Sequence, residues 1–229
     1  MKRIIITGAS SGIGKEIALE LADETSQFFL VARNMDRLEQ VKMEIESKGS
    51  SAFIGVGDVS DEHQTKTLFS QAIAEMNGID LLVANAGVGY FGNLEEMEIS
   101  KYDDQFNTNV RGVFLWLREA IPVMRKQNSG QIIVTSSNLG LKTSPRASIY
   151  SATKHAVQAM VSSLRDELKG TMIKAATINP GSVSTPWFDG RDVDRSKMLT
   201  AKDVARAARL IVEQEETSNI DHILIMPGL

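Results

Sequence analysis

With 229 residues, the chain has room for one well-buried domain, read here as spanning residues 1–229. Apolar residues at 42%, charged residues at 24% and a formal net charge of -4 with both signs interspersed exclude an extended disordered polymer. They supply no basic surface for nucleic acid or an anionic membrane, and the absence of cysteine excludes disulfides, thiolate metal sites and a cysteine nucleophile.

The first apolar run, Ile4-Ile5-Ile6 behind Lys2-Arg3, stops at Thr7-Gly8. That is too short for a secretory leader, and no later stretch is long enough to cross a bilayer, so a cytoplasmic protein is expected. Strands are predicted over residues 3–7, 27–32, 52–56, 81–84, 131–135, 174–178 and 222–225, each a short run of Ile, Val, Leu, Phe and Ala. Helical patterns lie between them. Residues 36–48 place Leu38, Val41 and Ile45 at helical spacing, and residues 61–76 place Leu68, Phe69, Ala72 and Ile73 on one face. Alternation of this kind implies right-handed crossovers and an α/β fold, a doubly wound, mainly parallel seven-stranded sheet with helices on both faces. Ligands of such sheets bind beyond the carboxyl ends of the strands, where Thr7-Gly8, Asn85-Ala86-Gly87, Ser136-Ser137 and Asn179-Pro180-Gly181 all fall.

The loop Gly8-Ala9-Ser10-Ser11-Gly12-Ile13-Gly14 follows a buried strand and opens a helix carrying Ile17 to Leu21. Bare backbone there lets a pyrophosphate approach, and the helix start offers unpaired N–H groups and the positive end of its dipole. Three glycines in a turn also serve as a plain strand-to-helix connection; the placement favours phosphate. Further along, Tyr150 and Lys154 stand at i and i+4 on one helix face. An ammonium beside a phenol favours the phenolate, which makes Tyr150 a candidate general acid for carbonyl reduction and base for alcohol oxidation. Taken alone, that spacing is common on exposed helices.

Together, Thr7-Gly8-x-x-x-Gly12-Ile13-Gly14 and Tyr150-Ser151-Ala152-Thr153-Lys154 resemble the motifs of the short-chain dehydrogenase/reductase family, and the resemblance runs in order from Thr7 to Thr185. It implies a Rossmann-type dinucleotide fold in which Ser10, Ser11 and Ile13 join the glycines around the cofactor. Strand two ends in Arg33-Asn34 with no carboxylate before Asp36, where an Asp or Glu favours NAD and an Arg accommodates the 2′-phosphate of NADP. NADP(H) is therefore expected over NAD(H). The alternative for Arg33 is a solvated strand-end charge, and Ser11 stands where many NADP-using relatives carry a second basic residue.

The same resemblance assigns Ser137, thirteen residues before Tyr150, to the substrate oxygen, with Ser136 as a turn residue. It assigns Asn109, rather than Asn107, to a water-mediated proton relay to Lys154, through its backbone. Asp58-Val59 resembles the adenine-contacting pair, and Asn85-Ala86-Gly87 the loop beside the adenine ribose, with Ala84 replacing the first asparagine of the family's usual doublet. Pro180-Gly181 leads to Val183 and Thr185, which resemble the nicotinamide carboxamide contacts. Trp187 and Phe188 open a segment, about residues 186–199, that covers substrate in this family, though core packing accounts for them equally well. His63, His155 and His222 share no metal-ligand spacing, and no metal is expected.

The function so implied is hydride transfer between NADP(H) and a small-molecule carbonyl or alcohol, with Tyr150 as acid/base. The alternatives are a 3-oxoacyl-thioester reductase and a non-catalytic NADP-binding sensor or scaffold. By analogy with relatives that pair the helices bearing Asn109 and Tyr150, a homodimer or homotetramer is expected.

Overall fold

The computed structural model describes residues 2–228. Its strands are β1 (Lys2–Thr7), β2 (Ser26–Ala32), β3 (Ser51–Val56), β4 (Leu81–Ala84), β5 (Gly130–Thr135), β6 (Ile173–Pro180), β7 (Val183–Ser184), β8 (Leu199–Thr200) and β9 (His222–Ile225). The helices are α1 (Gly12–Leu21), α2 (Met35–Glu46), α3 (Glu62–Met76), α4 (Ile99–Phe106), α5 (Val113–Gln127), α6 (Ser148–Glu167) and α7 (Ala201–Val212).

Seven strands form one sheet in the order β3-β2-β1-β4-β5-β6-β9, and every pairing in it is parallel. Each expected strand is present, and the expectation of a mainly parallel sheet sharpens to a wholly parallel one. One boundary moves: β6 runs on through Asn179 and Pro180, because those residues pair with Leu224 and Ile225 of β9. The cluster expected after the strand therefore begins inside it.

Burial on both faces follows from the period of two along a strand. In β1, Ile4 and Ile6 join the layer containing Ile17, Leu38 and Ile211 of α1, α2 and α7, while Ile5 joins Leu68, Trp116 and Val157 of α3, α5 and α6. All three isoleucines are fully buried, which is why the run does not alternate with polar residues. Helix starts are locally encoded: Asn34 accepts from the Arg37 N–H at 2.9 Å, Asp61 accepts from Gln64 at 2.8 Å, and Thr200 forms a capping box with Asp203.

From β1 the chain winds outward through β2 and β3, then returns to the other side of β1 at β4. The reversal opens a crevice at the carboxyl ends of β1 and β4.

Candidate active site

At that crevice the Thr7 hydroxyl oxygen accepts hydrogen bonds from the Asn85 and Ala86 N–H groups at 3.0 and 3.1 Å. The Asn85 amide donates in turn to the carbonyls of Thr7 and Gly8 at 3.1 and 3.3 Å. The glycine loop is thus stitched to the end of β4. Gly8 sits at φ +66°, and a Cβ there would lie 2.9 Å from the Ala86 Cα, so both backbone conformation and space demand glycine. Ser11 occupies the N-cap of α1 but makes no capping bond, unlike Asn34, Asp61 and Thr200. The first turn of α1 therefore keeps N–H groups for an anion.

A cleft of about 700 Å³ extends both ways from this loop. Gly8, Ser10, Ser11, Gly12 and Ile13 line its middle, and Arg33, Asp58 and Val59 line one end. Toward the other end come Ala86, Gly87, Ser137, Tyr150, Lys154, Pro180, Gly181, Val183 and Thr185. Two expected residues stand behind the wall instead. Gly14 packs against the Gly8 carbonyl, where a Cβ would also fall 2.6 Å from the Asn85 amide nitrogen. Asn109 is fully buried.

At the Arg33 end, sequence reading overlooked Arg37, which lines the same cleft from the first turn of α2. Neither arginine belongs to an ion pair among the described residues, so two guanidinium groups beside a helix N-terminus are free to meet a phosphate. The signal was available, since Asn34 as an N-cap puts Arg33 and Arg37 on either side of one helix start. The Asp58 carboxylate is held locally, accepting from the Ser60 N–H at 2.8 Å and hydroxyl at 2.7 Å.

At the opposite end, four side chains come from three parts of the fold. Lys154 and Tyr150 share α6, with the Lys154 Nζ 5.7 Å from the centre of the Tyr150 ring. Lys154 is buried and donates to the Thr135 carbonyl at 3.0 Å. Ser137 follows β5 and accepts from the Leu139 N–H at 3.1 Å. Asn109 lies in a π turn (Asn107–Gly112) joining α4 to α5, an insertion typical of functional positions. Its carboxamide is fixed on both sides, accepting from the Val88 N–H at 2.8 Å while donating to the Val88 carbonyl at 2.8 Å and the Thr153 hydroxyl at 3.1 Å. Gly87 keeps the space between: a Cβ there would lie 3.2 Å from the Asn109 Oδ1 and 3.6 Å from the Lys154 Nζ.

Burial sets the protonation of the pair. Desolvation pushes the Tyr150 phenol up to about 12, with Ser137 opposing it, and pulls the Lys154 ammonium down to about 8. Burial is the larger influence on the Tyr150 phenol and the Ser137 hydroxyl the one that opposes it, so the phenolate expected from the Lys154 pairing is not the form that burial favours. The phenol holds its proton.

The burial has an identifiable source. Between β7 and β8, which pair with each other, the chain makes an excursion whose two ends are pinned together. On it, Trp187 packs over Tyr150 with ring centroids 5.6 Å apart, and Phe91 adds a second ring 5.4 Å from Tyr150. Trp187 is still 38% exposed, so it roofs the cleft rather than filling the core. Phe91 and Arg191, whose guanidinium lies over the Phe91, Trp187 and Phe188 rings, carry no sequence motif and were missed. No cluster of potential metal ligands exists among the described residues, nor a helix long and apolar enough to cross a membrane.

Residues 2–195 match the model of a family described as short chain dehydrogenase. An uncharacterized oxidoreductase of Staphylococcus epidermidis is 30% identical over 226 residues, covering 99% of this chain and 97% of that protein. Among solved structures, an alcohol dehydrogenase from the archaeon Thermococcus sibiricus, complexed with 5-hydroxy-NADP, superposes with a TM-score of 0.91 at 28% identity, over 98% of this chain and 95% of its own. A 3-ketoacyl-(acyl-carrier-protein) reductase from Brucella melitensis, complexed with NADH, gives 0.90 at 27%, over 97% and 96%.

Proposed function

The chain belongs to the short-chain dehydrogenase family of oxidoreductases, and on that premise we propose that it reduces small-molecule carbonyls with NADPH and oxidises the corresponding alcohols with NADP⁺. The observation that carries the reading is the meeting of Ser137, Tyr150 and Lys154 at one end of a cleft whose other end holds the unpaired Arg33 and Arg37.

The residues present fit a dinucleotide. Gly8 and Gly12 leave bare backbone at the uncapped start of α1 for the pyrophosphate, Arg33 and Arg37 suit a 2′-phosphate, and Asp58 and Val59 flank the adenine end. Val183 and Thr185 border the nicotinamide end, where the bound cofactor supplies the hydride. Tyr150, protonated below about pH 12, donates its proton to the carbonyl oxygen as charge develops there. Ser137 places a second hydroxyl beside that oxygen, and the Lys154 ammonium stabilises the phenolate left behind. Lys154 then passes a proton to the phenolate, restoring Tyr150, and a water held by the Asn109 backbone beside the gap at Gly87 would replace the proton on Lys154.

The test is a panel of ketones, aldehydes, diketones and a 3-oxoacyl thioester with NADPH and NADH, followed by nicotinamide absorbance. Turnover preferring NADPH, and lost in Tyr150→Phe while NADPH still binds, is the expected result. Equal use of both cofactors overturns the NADP assignment; tight NADPH binding with no turnover on any compound favours the sensor.

A further inference from the structure

We propose that Arg191 is a substrate anchor and that the carbonyl compounds accepted here carry a carboxylate a short linker away from the reacting carbon; this rests on the reductase reading of the same cleft. The guanidinium lies 5.5 Å from the Phe91 ring centre and 5.7 Å from those of Trp187 and Phe188, and it donates to the Gly89 carbonyl at 3.2 Å. Aromatic faces hold a guanidinium by its charge and plane without consuming its in-plane donors. One hydrogen bond leaves most of those donors unused.

No acid of the same excursion pairs with Arg191: Asp192, the next residue in the chain, forms no ion pair among the described residues, and two others are engaged elsewhere. Asp189 pairs with Arg195 at 2.7 Å, and Asp194 accepts from the Ser196 N–H and hydroxyl at 3.1 and 2.6 Å. Arg191 itself forms no ion pair among the described residues. Yet it lines the cleft, one ring removed from Tyr150, since Phe91 and Trp187 touch both. A planar fork with free donors, fixed beside the proton donor, matches a carboxylate in charge and shape. A cationic substrate fits the aromatic walls too, but their cation is already supplied by the chain, and Lys154 adds a second positive charge.

The test uses benzoylformate and levulinate beside their methyl esters and a trimethylammonium ketone, with NADPH as reductant. In parallel, binding of benzoate and benzamide to the enzyme–NADP⁺ complex is measured by calorimetry. The wild type is expected to favour acid over ester by about tenfold or more in kcat/KM, a ratio that collapses toward one in Arg191→Leu and returns in part in Arg191→Lys. Benzoate, and not benzamide, binds the wild-type complex and loses about tenfold in affinity in Arg191→Leu. A matching thermal melt for that variant certifies its fold. Esters reduced as well as acids, a preference for the ammonium ketone, or benzoate binding indifferent to Arg191 each overturn the proposal. If Arg191-dependent benzoate binding occurs with no ketone turned over, carbonyl reduction falls and the anion subsite stands.

Discussion

Lys154 is the residue whose environment makes the sharpest demand on experiment. Burial alone lowers its ammonium to about 8 from an ordinary 10.5, so its charge disappears within the accessible pH range while Tyr150 stays protonated. Reduction leaves a phenolate that needs the ammonium beside it, so the reductive kcat/KM is expected to be level below about pH 8 and to fall roughly tenfold per unit above it. Lys154→Arg keeps a cation at every pH and should remove that inflection even if the rate drops. An unchanged inflection in the arginine variant would mean that another group titrates. The sign for folding runs the other way. A lowered lysine pKa makes the buried charge a constant cost below about pH 8, relieved as pH rises from there toward the ordinary value. Tyr150 and Lys154 were legible as a pair from their spacing of four. Their protonation was not, because it depends on burial by parts of the chain far from α6 in sequence: Trp187 and Phe91 over Tyr150, and the end of β5 and Gly87 around Lys154.

At the scale of elements, the glycine loop divides its labour between ligand and fold. Gly12 faces the cleft at φ +55°, with a Cβ position 3.2 Å from the Thr185 Cγ2, whereas Gly14 lets α1 press against the loop carbonyl of Gly8. Gly14→Ala is therefore expected to cost about 1–3 kcal/mol through overpacking, read as a lower urea midpoint with an unchanged slope. A midpoint equal to wild type would show that α1 can withdraw without loss. The inner strands were readable because both faces of β1, β2, β4, β5 and β6 are covered, which turns them into short apolar runs such as Ile4-Ile5-Ile6. The π turn at Asn109 was not: Asn107 to Gly112 has no distinguishing composition, and its geometry follows from Asn109 bonding to Val88 across the fold. Likewise β7 and β8 are two residues each, too short for any period, and exist because their pairing closes the excursion that carries Trp187 and Arg191.

For the whole molecule, the cleft joins parts of the chain that the sheet alone leaves separate: the loop after β1, the start of α2, the end of β5 and the excursion after β6. A ligand touching all of them binds only the folded state and stabilises it by about 2.7 kcal/mol at a hundred times its Kd. For a chain of this size that corresponds to a rise in Tm of roughly 5–10 °C. NADPH should give a larger rise than NADH at equal concentration, since Arg33 and Arg37 have no carboxylate partner of their own and gain one charged contact only from the 2′-phosphate. Replacing both arginines by alanine should bring the two shifts together by lowering the NADPH value and leaving the NADH value in place. If the double variant instead lowers both equally, the arginines support the adenosine end as a whole, and the cofactor preference must originate elsewhere in the cleft.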